Sequence, residues 1–175
     1  WLSDPIRLIG RGTDGAGSHY RIIEWKDCLT GAAKQAAVPA AEIGSVQGWQ
    51  RLQSYGLTIL SGRAKRERLA DYLQTEGENT HYAVTARAGW HDKAYILPGG
   101  EVIRPDNAEA GRVIYNGDKS QAHAYEAAGT AQEWNAEIGQ YLTGNSRLCL
   151  AVGTALAAPL IGLLNMEAGG FHLFG

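Results

Sequence analysis

The chain has 175 residues, 45% of them hydrophobic and 19% charged, with a formal net charge of −2. That is enough for one domain, or one domain with a helical extension, and enough apolar content to bury a core without staples. The charge excludes a protein that coats nucleic acid over its whole surface, though not a local basic patch, and two distant cysteines, Cys28 and Cys149, exclude a disulfide scaffold and fit a reducing cytoplasm.

Trp1 to Pro5 has neither a basic n-region nor an apolar h-region, so no secretory signal is expected in this stretch. Ile6 to Ile9 and Tyr20 to Trp25 read as strands. Between them Gly10, Gly12 and Gly15 match Gly-x-Gly-x-x-Gly, but the dinucleotide fingerprint needs a helix next, and β-branched and aromatic residues follow instead. A hairpin loop is the expectation. Ala33 to Val38 reads as a third strand, ended by Pro39.

A helical pair comes next. Ser45 opens the first helix, with Val46, Trp49 and Leu52 at spacings of three and Gly56 as the stop. Ser61 is expected to cap the second, Gly62 to Gln74, with Leu69, Tyr72 and Leu73 facing the core. Strands then return. His81 to Ala88 alternates, Ala94 to Leu97 and Glu101 to Arg104 flank Pro98-Gly99-Gly100, and Arg112 to Tyr115 adds another.

Gln121 to Gly129 is Ala-rich and reads as a linker or short helix. Thr130 and Glu133 form a capping box for a helix to about Thr143, with Trp134, Ile138, Tyr141 and Leu142 on one face. Asn145 or Ser146 opens an apolar segment, Leu148 to Leu164. Its length is marginal for a membrane span, so a buried core helix is expected, kinked or broken at Pro159. The chain closes on Phe171 to Phe174, an apolar strand after Gly169-Gly170.

Chemistry-bearing patterns are sparse. The histidines (His19, His81, His91, His123 and His172) include no HxxxH pair, so no metal site is signalled. No nucleophile elbow or nucleophile–base pair stands out. The one dense basic cluster is Arg63, Lys65, Arg66 and Arg68, in the first turns of the second helix, where the helix dipole disfavours cations. A solvated face balanced by Glu67 and Asp71 is the ordinary reading, and contact with nucleic-acid phosphate the functional one. Trp90 is expected as a packing anchor, with a stacking platform of Tyr82, Trp90 and Tyr95 for single-stranded bases as the alternative.

A set of short motifs carries a resemblance: Gly89-Trp90-His91, Tyr95-Ile96-Leu97-Pro98, Ala157-Ala158-Pro159-Leu160 and the ending Gly169-Gly170-Phe171-His172-Leu173-Phe174-Gly175. Together they resemble the bacterial domain of unknown function 927 family, often encoded on phage and other mobile elements. The resemblance implies that Phe171 to Phe174 is the strand before a P-loop and that Gly175 is the first glycine of Gly-x-x-x-x-Gly-Lys-Ser/Thr. ATP and Mg²⁺ would then bind in a longer parent protein, a helicase-type or primase-associated ATPase that forms homo-oligomeric rings. No Gly-Lys-Ser/Thr run occurs in this chain.

The resulting expectation is an α+β protein: an N-terminal antiparallel β-rich region with an inserted helical pair, then a C-terminal helical segment leading into a final short strand. Residues 1–120 form the accessory domain, and 121–175 the start of a truncated ATPase core. The chain itself is expected to be non-catalytic and cytoplasmic, with no membrane contact. It assists DNA binding or subunit assembly in replication. DNA contact would fall on Arg63, Lys65, Arg66 and Arg68, with Arg87 and Trp90 behind them. The alternative is a protein-interaction module with no nucleic-acid role.

Overall fold

A computed structural model describes residues 1–104, 111–120 and 122–172. The chain divides into two compact units, Trp1–Ser120 and Gln121–Gly175. The α+β class read from the sequence is the observed one.

The first unit is built on a five-stranded sheet. Strands β1 (Ile6–Thr13), β2 (His19–Lys26) and β3 (Ala33–Pro39) form an antiparallel meander. The β1–β2 turn is tied by Asp14, whose Oδ1 accepts from the amides of Ala16 and Ser18 at 2.9 and 2.8 Å. Gly10 and Gly12 therefore belong to strand β1, with no helix to complete a dinucleotide fingerprint. The β2–β3 turn is held by the buried carboxylate of Asp27. It accepts from the amides of Leu29 and Thr30, the Thr30 hydroxyl and the Lys34 ammonium.

A helical pair separates β3 from β4, as read. Helix α1 (Val46–Ser54) is capped by Ser45, whose hydroxyl accepts from the Gly48 amide at 3.1 Å. Trp49 and Leu52 are buried, but Val46 is 65% exposed. Helix α2 (Arg63–Thr75) starts one residue later than expected, at a Gly62 N-cap with no side-chain cap, so Ser61 is not the capping residue. Leu69 and Leu73 are buried and Tyr72 is on the rim. At about 100° per residue, positions 69 and 73 centre the apolar stripe and position 72 falls beside it.

Strand β4 (His81–Thr85) then pairs parallel with β1, and β8 (Arg112–Tyr115) parallel with β4, giving the order β3-β2-β1-β4-β8. The region is thus a mixed sheet rather than an antiparallel one. Returning through a helical pair allows a parallel partner, whereas a short hairpin permits only an antiparallel one. β4 stops at Thr85, and Ala86 to Ala88 are exposed. Strands β5 (Gly89–His91), β6 (Ala94–Ile96) and β7 (Val102–Ile103) form a separate three-stranded antiparallel sheet.

Alternation divides the core in two. Leu8, Ile23, Trp25 and Val38 face α1 and α2 and pack on Trp49, Leu52, Leu69 and Leu73. Ile9, Ile22, Ala37, Tyr82, Val84 and Ile114 fill the opposite face. A bulge at Ile9, where the β1–β2 register shifts between Leu8 and Gly10, lets neighbouring residues serve both cores. The edge strands β3 and β8 also approach one another, so the sheet curls around the second core.

The second unit is helical. The Thr130–Glu133 capping box is present: the Thr130 hydroxyl accepts from the Glu133 amide at 3.2 Å, and the Thr130 amide donates to Glu133 Oε2 at 2.7 Å. Helix α3 (Ala131–Glu137) is shorter than expected. Ile138 leaves helical geometry at φ −125°, and a 3₁₀ turn, Gly139–Leu142, follows. Helix α4 (Ser146–Leu163) is capped by Asn145, which accepts from the Leu148 amide at 3.1 Å, and it continues through Pro159. One missing amide is tolerable where the turns on either side keep their bonds.

The expectation that this helix is buried is overturned: no residue of α4 is buried. Within its own unit, α3 and the 3₁₀ turns Ala122–Tyr125 and Gly139–Leu142 are too short to cover its eighteen mostly apolar residues. Phe171 and His172 carry no strand. Leu173, Phe174 and Gly175 lie outside the described residues, and with them the rest of the expected final strand and the Gly175 phosphate-loop position.

Candidate nucleic-acid interface

The α2 cations do not form one patch. Helix geometry places Arg63 and Arg66 beside one edge of the buried Leu69–Leu73 stripe, and Lys65 and Arg68 beside the other. Arg63 and Arg66 border a hollow with Trp49 and Ala70, while Arg68 borders another with Leu2, Ile6 and Tyr72. Arg63 is spent on Glu67, Nε to Oε1 at 2.8 Å, an exposed i,i+4 pair. Arg66 is half-buried and its Nε points to the Leu60 carbonyl at 3.4 Å. Lys65 and Arg68 are exposed, and neither has an ion pair among the described residues.

Arg87 and Trp90 sit on other elements. Arg87 is exposed in the β4–β5 connection, where its carbonyl accepts from or lies beside His91 Nε2 at 3.0 Å. His91 Nε2 also meets Thr85 Oγ1 at 3.1 Å, so this ring pins the connection. Trp90 is half-buried in β5 and meets Tyr95 edge-on, centroids 5.2 Å apart at 74°. Tyr82 is buried in the second core with the Arg112 guanidinium 5.9 Å from its ring centroid, so the three-ring platform is not assembled. An aromatic alternating with Val84 on a central strand serves the core first.

A second basic group is absent from the sequence reading. On the helix-bearing face of the sheet, Arg11 of β1 is the register partner of Arg21 on β2 and of His81 on β4. The next row on that face pairs Thr13 with His19, and Thr13 Oγ1 lies 3.0 Å from His81 Nε2. Like charges directly opposite across strands are destabilising unless something neutralises them. Arg21 is 5% exposed, and its Nε donates to the Leu73 carbonyl at 2.6 Å. Its Nη2 donates to the carbonyls of Gln74 and Glu76. These are C-terminal carbonyls of α2, and Arg21 satisfies them from the sheet. Desolvation by burial, then the charge of Arg11, lowers the Arg21 pKa. The sequence signal was available: Arg21 shares its alternation with Ile23 and Trp25, so it must point inward.

A cavity of about 580 Å³ with a mixed lining lies between β3, the end of α1 and the turn after β8. Trp25 and Tyr55, stacked at 15° with centroids 6.5 Å apart, form one wall, with Lys34, Asn116 and Lys119 at its margin. Lys34 is committed to Asp27. The Trp25 Nε1 is buried without a hydrogen-bond partner.

The bonds to Asp27 make a pH prediction. The Lys34 contact, then the backbone amide of Thr30, holds its carboxyl well below the usual carboxylate range, against opposing desolvation. A depressed folded-state pKa contributes stability that is complete above the unfolded value of about 4 and lost as pH falls through the folded value. Asp27→Asn is expected to lower Tm by roughly 5–10 °C at pH 7. Its deficit relative to wild type should shrink once pH drops below about 4, as followed by thermal melts across an acid series.

These features define the class: an α+β protein whose first unit carries exposed cations, with no group of three His, Cys, Asp or Glu placed to hold a metal among the described residues. The family profile for domain of unknown function DUF927 matches residues 1–175, and the chain belongs to that family. None of the curated proteins compared with the chain matches it.

Proposed function

We propose that this chain is the non-catalytic N-terminal portion of a P-loop ATPase of the kind carried by mobile elements, and that its first unit assists DNA binding in replication. The observation that supports this best is the pair of exposed, unneutralised cations Lys65 and Arg68 on α2. Arg63 and Arg66 contribute less, because one is ion-paired and the other half-buried. ATP and Mg²⁺ would be held by the parent protein. The described residues contain no Gly-Lys-Ser/Thr run to receive them, so no chemical step is assigned to this chain.

A second reading, a protein-interaction module acting in subunit assembly, is favoured by the apolar, unburied α4. Fluorescence anisotropy with labelled single- and double-stranded oligonucleotides, titrated with salt, separates the two. DNA contact predicts that Lys65→Glu with Arg68→Glu weakens binding at least about tenfold at low salt and reduces the salt slope by about 1–2. No binding by folded wild-type chain, or an unchanged slope in the variant, would remove the α2 face as a DNA contact.

A further inference from the structure

We propose that the corner where β1 and β2 meet the end of α2, beside Ile43, is a phosphate-binding site formed by Arg11, Arg21 and His19, with His81 flanking Arg11 outside the cavity. It goes beyond the α2 face and does not depend on Lys65 or Arg68. A cavity of about 160 Å³ lies there, lined by Arg11, His19, Tyr20, Arg21 and Gln74 among others. That is below the roughly 300 Å³ at which sites for drug-sized ligands begin, and suits a single small anionic group.

The register supplies the charge. Arg21, Arg11 and His81 are consecutive partners across three strands, all on one face. The carboxylates nearest this corner in sequence already have partners: Asp14 accepts from Ala16, Ser18 and the Tyr20 hydroxyl, Glu42 pairs with Arg51, and Glu78 with Arg7. The C-terminal end of α2 would ordinarily repel an anion. Here Arg21 covers that end with Nε and Nη2, and its Nη1 makes no hydrogen bond among the described residues. Arg11 is exposed and has no ion pair among them either. Two guanidinium groups opposite one another, one of them buried, are a cost to the fold that a phosphate between them would offset.

Two sources share this chemistry, a phosphodiester in a nucleic-acid strand and a free phosphate. Amide-detected NMR titration of the 175-residue chain with inorganic phosphate, and separately with a short oligothymidylate, tests the site. Shifts are expected at Gly10 to Thr13, His19 to Arg21 and His81 with at least one probe. Arg11→Gln should weaken that response about tenfold, and Arg11→Lys should restore part of it. Saturation by the oligonucleotide at much lower concentration than by phosphate identifies a backbone phosphate, and comparable concentrations a free one. If Arg11→Gln disturbs the fold, His19→Gln, at another exposed polar side chain of the cavity, provides the same comparison. No shift at these residues with either probe, or shifts that persist unchanged in both variants, overturns the site. The Lys65 and Arg68 variants must leave the response to inorganic phosphate intact, so failure of the α2 reading and failure of this one are separate results.

Discussion

Arg21→Met will cost the first unit about 3–5 kcal/mol, the largest loss expected from any single polar side chain in it. Methionine keeps the apolar stem and removes the fork. The carbonyls of Leu73, Gln74 and Glu76 then lose their charged donor at the point where α2 turns toward β4. A helix end left without donors or water is a direct penalty, and each charge-assisted bond is worth roughly 1.5–3 kcal/mol. Arg21→Lys should recover less than half of the loss, because one ammonium cannot reproduce a planar fork spanning three carbonyls. Urea unfolding followed by tryptophan fluorescence checks this, since Trp25 and Trp49 are both buried in the adjoining core. A methionine variant as stable as wild type would mean that water reaches those carbonyls freely. A lysine variant as stable as wild type would mean that charge matters and the fork does not.

Where local chemistry decided the structure, the sequence was readable. The meander β1–β3, the inserted helical pair, the Ser45 start of α1 and the Thr130–Glu133 box each follow from residues a few positions apart, and of the two candidates Asn145 and Ser146 the structure selects Asn145 as the α4 cap. What was not readable depends on partners distant in sequence. Nothing within His81–Thr85 says that it pairs parallel with β1, since pairing direction is set by the path through α1 and α2. Tyr82 alternates equally well for a core or a platform, and only its neighbours Ile22 and Ile114 settle it as core. The α2 cations were legible because they are contiguous. The Arg11–Arg21–His81 row was not, because its members are separated by whole strands and meet only through register. The apolar content of α4 was legible, but its burial was not, because burial depends on what covers it.

The segment that joins α2 to β4 leads to the second large effect. It runs along β1: the Glu78 amide donates to the Leu8 carbonyl at 3.1 Å, and the Arg11 amide to the Thr80 carbonyl at 2.9 Å. Two glycines make that approach possible. A Cβ on Gly10 would stand 2.3 Å from the Thr80 carbonyl oxygen and 2.6 Å from the Tyr82 ring. A Cβ on Gly77 would stand 2.3 Å from Leu8 Cβ, and Gly77 also has φ 98°, which disfavours any L side chain. Gly17 has φ 82° and open space around it, so Gly17→Ala measures the backbone cost by itself, about 1 kcal/mol. Gly10→Ala measures the steric cost without positive φ, about 1–3 kcal/mol. Gly77→Ala combines them and should cost about 3–5 kcal/mol. Leu8→Ala should not rescue Gly77→Ala, because the obstructing atom is the Cβ that alanine retains. Tyr82→Leu should not rescue Gly10→Ala, because the Thr80 carbonyl remains. Rescue in either double variant would show that side chains alone keep the segment close. Its absence would assign the constraint to the backbone path that sets β4 parallel to β1, and so places His81 beside Arg11.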